Sequence, residues 1–340
     1  MRWTNRYLAL ILGLLVLSAT MLPFQAAAAE FKVVNKFGIE GGGRWDYLYI
    51  DGASRRIYMA RATHFSVLDA DTGSLVGDIP DTPGAHGVTL VPDLGVGFTT
   101  NGQENKVSVF DIKTFKVTAK IETGANPDSI LFHPATGTVF VQNGKSNSTS
   151  VIDAAKQQVI ATIPLPGKPE FAVYDDSGNV FINIETSGSI VVLDAANKKV
   201  KTTWPMKGCE EPAGLAIDRT HHRLFSACAN KMMAIVDSEN GNLVQTLPIG
   251  EDCDAVAFDP ATGYTFASNG DGTLTIIHSD ANGKYSVKQT LTIGDGAKTM
   301  GFDSEKHRAY LPTAKFTGPP TSHPRPSVVP GSISVVVIGE

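Results

Sequence analysis

The sequence is poor in the residues on which most recognisable chemistry is built. Only three of its 340 residues are cysteine, Cys209, Cys228 and Cys253, and none lies in a CxxC or CxxCH. That excludes a thioredoxin-type redox pair and a c-type haem attachment. An oxidising compartment permits one disulfide among them and leaves one thiol. HExxH, GxSxG and a Rossmann fingerprint in a fitting context are all missing. The "GKS" at 144–146 lacks the glycine five residues earlier that a P-loop requires. "DADTG", from Asp69, begins like an EF-hand loop but lacks its closing glutamate, so it reads as a turn.

Clusters of positive charge are missing too. The first 29 residues hold Arg2 and Arg6 and no acid, so beyond them 27 Lys+Arg face 34 Asp+Glu, a net charge of −7. An acidic chain without a basic run lacks the footprint of a nucleic-acid binder. Long apolar runs are confined to the beginning. Arg2 and Arg6 precede the apolar Leu8 to Leu17, and small residues follow at Ala26 to Ala29. This pattern reads as a secretory signal peptide over 1–29, cleaved near Ala29, with the mature protein expected in the periplasm or secreted. The run is too short and interrupted for a membrane anchor, and no span is expected in the mature chain.

Helical periodicity of useful length is absent after residue 29, and repetition stands in its place. Short apolar strands end in aspartate: "FSVLD" at Asp69, "VSVFD" at Asp111, "TSVID" at Asp153, "IVVLD" at Asp194 and "MAIVD" at Asp237. A sixth, "LTIIH", ends at His278, and the steps are 42, 42, 41, 43 and 41 residues. A second strand class keeps that period: "DYLYID", "GVTLVP", "DSILFH", "EFAVYD", "AGLAID", "DAVAFD" and "KTMGFD". Each unit reads as four short strands rich in Val, Ile, Phe and Tyr, separated by Gly, Asn and Asp turns. Four antiparallel strands per repeat of about 42 residues are expected to form one propeller blade. The fold class expected is all-β, a seven-bladed β-propeller over 30–340.

The last unit, "KTMGFD", "RAYLPTA" and "SISVVVIGE", lacks a fourth strand. "FKVVNKFGIEG", from Phe31, resembles the fourth strands of other units. It is expected to complete the last blade and so remove two exposed sheet edges.

These units, of which "HPATGTVFVQNGKSNSTSVIDAAKQQVIATIPLPGKPE" is a clear example, resemble the YVTN-type repeats of the YncE-like seven-bladed propellers. That family consists of exported bacterial proteins, mostly without an assigned biochemical role. The resemblance covers nearly the whole mature chain and departs from it at a proline-rich loop, Thr317 to Gly331, with prolines at 319, 320, 324, 326 and 330. The loop is expected on the channel-mouth face, as a cover, a docking site or a passive insertion. WD40 repeats fit less well, because the lone Trp45-Asp46 pair opens an inner strand.

In a propeller the first strand of each blade lines the central channel. Five residues before the end of each inner strand lie Asp46, Gly87, Asp128, Glu170, Ala213, Asp254 and Lys298. One residue earlier lie Trp45, His86, Pro127, Pro169, Pro212, Cys253 and Ala297. These positions are expected to ring one mouth, with Glu210 and Glu211 just upstream of the fifth. The candidate ligand-binding set is Asp46, His86, Asp128, Glu170, Glu210, Glu211, Asp254 and Lys298. The bland reading is a wet channel mouth.

Asn101-Gly102, Asn143-Gly144 and Asn269-Gly270, expected on the same face, read as tight hairpin turns. Cys209 lies just before an inner strand of the fifth blade and Cys228 ends the neighbouring antiparallel strand on the same face, so the two are expected to pair, leaving Cys253 free; a soft-metal site of cysteine with His86 is the sharper alternative.

The function expected is an exported binding or interaction module with an unidentified protein, peptide or small-molecule ligand, monomeric and without a cofactor. The alternative is a metal-dependent hydrolase or lyase, lactonase-like in layout. There Asp46, Asp128, Glu170 and Asp254 would hold a cation, Ca²⁺ by their hard oxygens.

Overall fold

The computed structural model describes residues 30–319 and 326–340, so the signal peptide expected over 1–29 and Pro320 and Pro324 lie outside the described residues. The compact unit is Phe31–Glu340. It holds seven four-stranded sheets, and within each the hydrogen-bonded neighbours follow one another along the chain, except in the last. This is the seven-bladed propeller expected from the repeat.

One blade shows how the sequence builds the rest. In the third, Pro127–His133 is the inner strand, followed outward by Thr138–Asn143, Ser148–Asp153 and Gln158–Pro164. The two middle strands are buried on both faces, whereas the outermost alternates exposed and half-buried. "TVFVQN" and "STSVID" therefore read as continuous runs, because each lies between two neighbouring blades. Phe140 and Val151 pack on Val180, Ile182 and Val191 of the next blade. Each such side chain contributes roughly 1.5–3 kcal/mol by burial. The Asp that ends the third strand in five of the blades folds the following turn. Asp69 Oδ1 accepts from the backbone N–H of Asp71 and Thr72, and Asp111 Oδ1 from Lys113 and Thr114.

The ring closes through the N-terminal strand. Lys32–Gly38 runs antiparallel to Ser334–Gly339, with Lys32 opposite Gly339 and Gly38 opposite Ser334. Phe31 anchors it: its ring meets Tyr264 and Phe266 of the sixth blade edge-on, and its N–H donates to Gln289 Oε1 at 3.0 Å. On the first blade, Arg55 ion-pairs with Asp71 at 2.7 Å and with Asp303 of the last blade, whose side chain is 0% exposed.

The fifth blade carries a Cys209–Cys228 disulfide, and Cys253 is free and buried. Among the described residues no helix is long and apolar enough to cross a membrane.

The Asn-Gly pairs correct an expectation. Strands Val96–Asn101 and Lys106–Asp111 are joined by four residues, and the left-handed position is Asn105, not Gly102. Asn101 is instead the last residue of its strand, fully buried, and its Nδ2 donates to Ser108 Oγ and Glu104 Oε1 at 2.7 Å each. Asn143 holds Ser148 and Ser150, and Asn269 holds Thr273 and Thr275, in the same way. These amides are staples between the second and third strands, neither turn formers nor a ring of ligand donors.

Candidate functional site

The inner strands begin irregularly, and that irregularity creates the mouth. In five blades the register between inner and second strand shifts at its start: Ala85/Val88, Pro127/Ile130, Pro169/Ala172, Pro212/Leu215 and Cys253/Ala255. A bulge re-aims the residues inside it. His86, Asp128, Glu170 and Ala213 lie inside these shifts, and Asp254 inside that of the sixth blade. Asp46 precedes its strand and is held by a bond from its N–H to Ala60 O at 3.2 Å.

The result is an open basin of about 650 Å³. Asp46, His86, Asp128, Glu170, Asp254 and Lys298 all line it, as does Glu211, while Glu210 is not among its lining residues. Sequence alignment of the blades did not reveal further polar contributors, among them Lys168, Glu185 and Asp252, which lie outside the inner strands. Tyr47 was missed as well. It borders both this basin and a mainly apolar cavity of about 370 Å³ at the other mouth, and packs edge-on against Phe171 at 5.1 Å.

Three clusters of opposite charge form there. His86 Nδ1 lies 2.6 Å from Asp46 Oδ2 and 3.9 Å from Asp128 Oδ1. Lys168 Nζ lies 2.6 Å from Glu170 and 2.5 Å from Glu185. Lys298 Nζ lies 2.5 Å from Asp254 and 3.9 Å from Asp252. The four carboxylates proposed to share a cation are therefore split: Glu170 and Asp254 each hold a lysine, while Asp46 and Asp128 flank His86.

Proton affinities follow from burial and neighbours. Burial opposes a charge on His86, yet the Asp46 hydrogen bond and the charges of Asp128, Asp46 and Glu170 outweigh it and lift its pKa to about 9. Burial raises Asp128, against the pull of His86 and with help from Asp46 and Asp254. Burial and the Asp128 charge raise Glu170 although Lys168 opposes them. The short Lys168 contact favours an ionised Glu170, so two effects compete there, and the upward direction reflects loss of water around a nearly enclosed carboxylate.

Space at the mouth is set by glycine. A Cβ on Gly102 would stand 2.7 Å from His86 Nε2, so only glycine lets the imidazole lie against that loop. Beside the basin, Trp45 packs on Phe316 at 5.9 Å, and Phe316 bridges to Val328, which puts both described stems of the proline-rich loop at the mouth. Cys253 lines the basin, but its Sγ turns to Ala255 O at 3.6 Å, and burial pushes its thiol pKa up. The cluster of potential metal donors found here, Asp46, His86 and Asp128, does not include it.

No protein-family model matches the chain. No curated protein matches it either. Among solved structures it is similar to Kuenenia stuttgartiensis hydrazine synthase, with a TM-score of 0.68 at 15% identity, covering 80% of this chain and 94% of that chain. At that identity the likeness bears on the fold alone and supports a β-propeller.

Proposed function

We propose that this protein is an exported propeller of the YVTN-repeat type that works as a binding module through its channel mouth. One observation carries the reading: polar residues from several blades converge on a single open basin of about 650 Å³. The opposite mouth is mainly apolar, lined by residues such as Val88, Ile130 and Leu131. Fold alone does not assign a function, so the argument rests on this chemistry. Export is supported by the basic and apolar leader and by the disulfide, which belongs to an oxidising compartment. Cleavage near Ala29 would leave Phe31, the anchor of the closing strand, near the new terminus.

The test is native mass spectrometry of protein isolated from its own compartment. A co-purifying small molecule or peptide should be lost on Glu170→Gln and kept on Arg219→Ala, at the other mouth. Loss on Arg219→Ala alone would contradict the reading. Metal-dependent hydrolysis is the second reading, favoured by Asp128 and Glu170, whose raised proton affinity suits a general base beside a cation. It requires EDTA-sensitive turnover of a lactone or ester.

A further inference from the structure

We propose that Asp46, His86 and Asp128 form a site for one first-row divalent cation, of the zinc or manganese kind, rather than for Ca²⁺. The inference deepens the channel-mouth reading and rests on it. One donor atom from each residue lies within 4.8 Å of the others. The two His86 separations, 2.6 and 3.9 Å, bracket the value an ion would impose. Donors about 2.0 Å from a tetrahedral ion stand roughly 3.3 Å apart. Small side-chain rotations at half-buried residues suffice to reach that spacing. The ion would replace the hydrogen bond between His86 Nδ1 and Asp46 Oδ2.

The donor set decides the metal. An imidazole between two carboxylates suits zinc, manganese and their neighbours, whereas Ca²⁺ takes about six to eight oxygens. Glu170 and Asp254, which would supply more oxygens, are paired with Lys168 and Lys298. Three protein donors leave positions open to the basin, as in sites that accept an exogenous ligand.

Tyr47 is an independent pointer. It is only 8% exposed and carries a phenol hydroxyl. That hydroxyl is within electrostatic reach of Asp254, Asp128, Glu170 and Asp46, and it borders the basin. A molecule or water held by the ion would give the phenol an acceptor. Gly102 supports the same picture, since its missing side chain is what admits the His86 ring.

The test uses the disulfide-intact protein and metal ions alone. Titration calorimetry with Zn²⁺, Mn²⁺ and Ca²⁺ should show one high-affinity equivalent of a transition metal and weaker Ca²⁺ binding. Co²⁺ should give a visible absorption band. His86→Gln should abolish the band and weaken binding by about 10–100-fold or more, and Tyr47→Phe by about tenfold. His221→Gln with His222→Gln removes the exposed histidines of another loop and should change nothing. If His86→Gln does not fold, Asp128→Asn carries the same test. Unchanged affinity in His86→Gln, or loss only in the His221/His222 variant, overturns the site. If metals fail to bind while another ligand is still lost on Glu170→Gln, this inference falls and the channel-mouth reading stands.

Discussion

His86 Nδ1 and Asp46 Oδ2, 40 residues apart in sequence, stand 2.6 Å apart at the channel mouth. The contact joins the first two blades and, with the charges of Asp128 and Glu170, raises the proton affinity of the imidazole against its burial. A folded pKa of about 9 lies above the 6.5 of a free histidine. Its stabilising contribution is therefore complete below pH 6.5 and disappears as pH rises through about 9. Asp128 and Glu170, also raised, act with the same sign, because ionising them costs more in the folded protein. The melting temperature should fall between pH 6 and 9.5, and His86→Gln should flatten that decline. The imidazole should titrate near pH 9 by NMR, and Asp46→Asn should lower the midpoint. A midpoint at 6.5 or below contradicts the electrostatic account.

The closing strand should dominate stability. Phe31→Ala removes a ring packed on Tyr264 and Phe266 and should cost about 3–5 kcal/mol in urea unfolding. Arg55→Ala leaves Asp303 buried without that partner and should cost a comparable ~3 kcal/mol or more. Loss of under ~1 kcal/mol in both variants would show that the ring is held otherwise.

Cys209 and Cys228 close a loop with a sequence separation of 19. Replacing both with serine should destabilise the protein by about 2–4 kcal/mol. Alkylation of the denatured, unreduced chain should label Cys253 alone. A label on Cys209 or Cys228 would contradict the pairing.

Gly102→Ala probes the mouth without touching a charge. The new Cβ would fall 2.7 Å from His86 Nε2, so the ring must move. Melting should change little, whereas the NMR-detected His86 pKa should drop as its Asp46 contact lengthens. An unchanged pKa would mean that the loop yields instead of the imidazole.

Much of the architecture was legible because its turn chemistry repeats. Asp69, Asp111 and their counterparts each fold the next turn, so a local signal recurs with the blade period. The Cys209–Cys228 pair was legible for a similar reason, since Cys209 just precedes the inner strand of its blade and Cys228 ends the strand beside it. Asn101 and Asn143 were misread: Asn-Gly favours a tight turn locally, but burial between strands turned the amides inward to serine hydroxyls. Alignment placed Asp46, Asp128 and Glu170 at equivalent positions. It could not show that bulges turn Asp128 and Glu170 into the basin beside Asp46, nor that Lys168 and Lys298 would divide the carboxylates. Tyr47 was hidden because an aromatic at an inner-strand start reads as core. What the mouth binds was not legible at all, since neither chemistry nor likeness to another protein names it.

The central claim is that the polar channel mouth is the working surface. Thermal-shift screening of metals, short peptides and small metabolites, on wild type, Lys168→Met with Glu170→Gln, and Arg219→Ala, tests it most directly. The account predicts a ligand whose stabilising shift vanishes in the Lys168/Glu170 variant and persists in Arg219→Ala. A shift that survives the mouth substitutions and disappears in Arg219→Ala would contradict it.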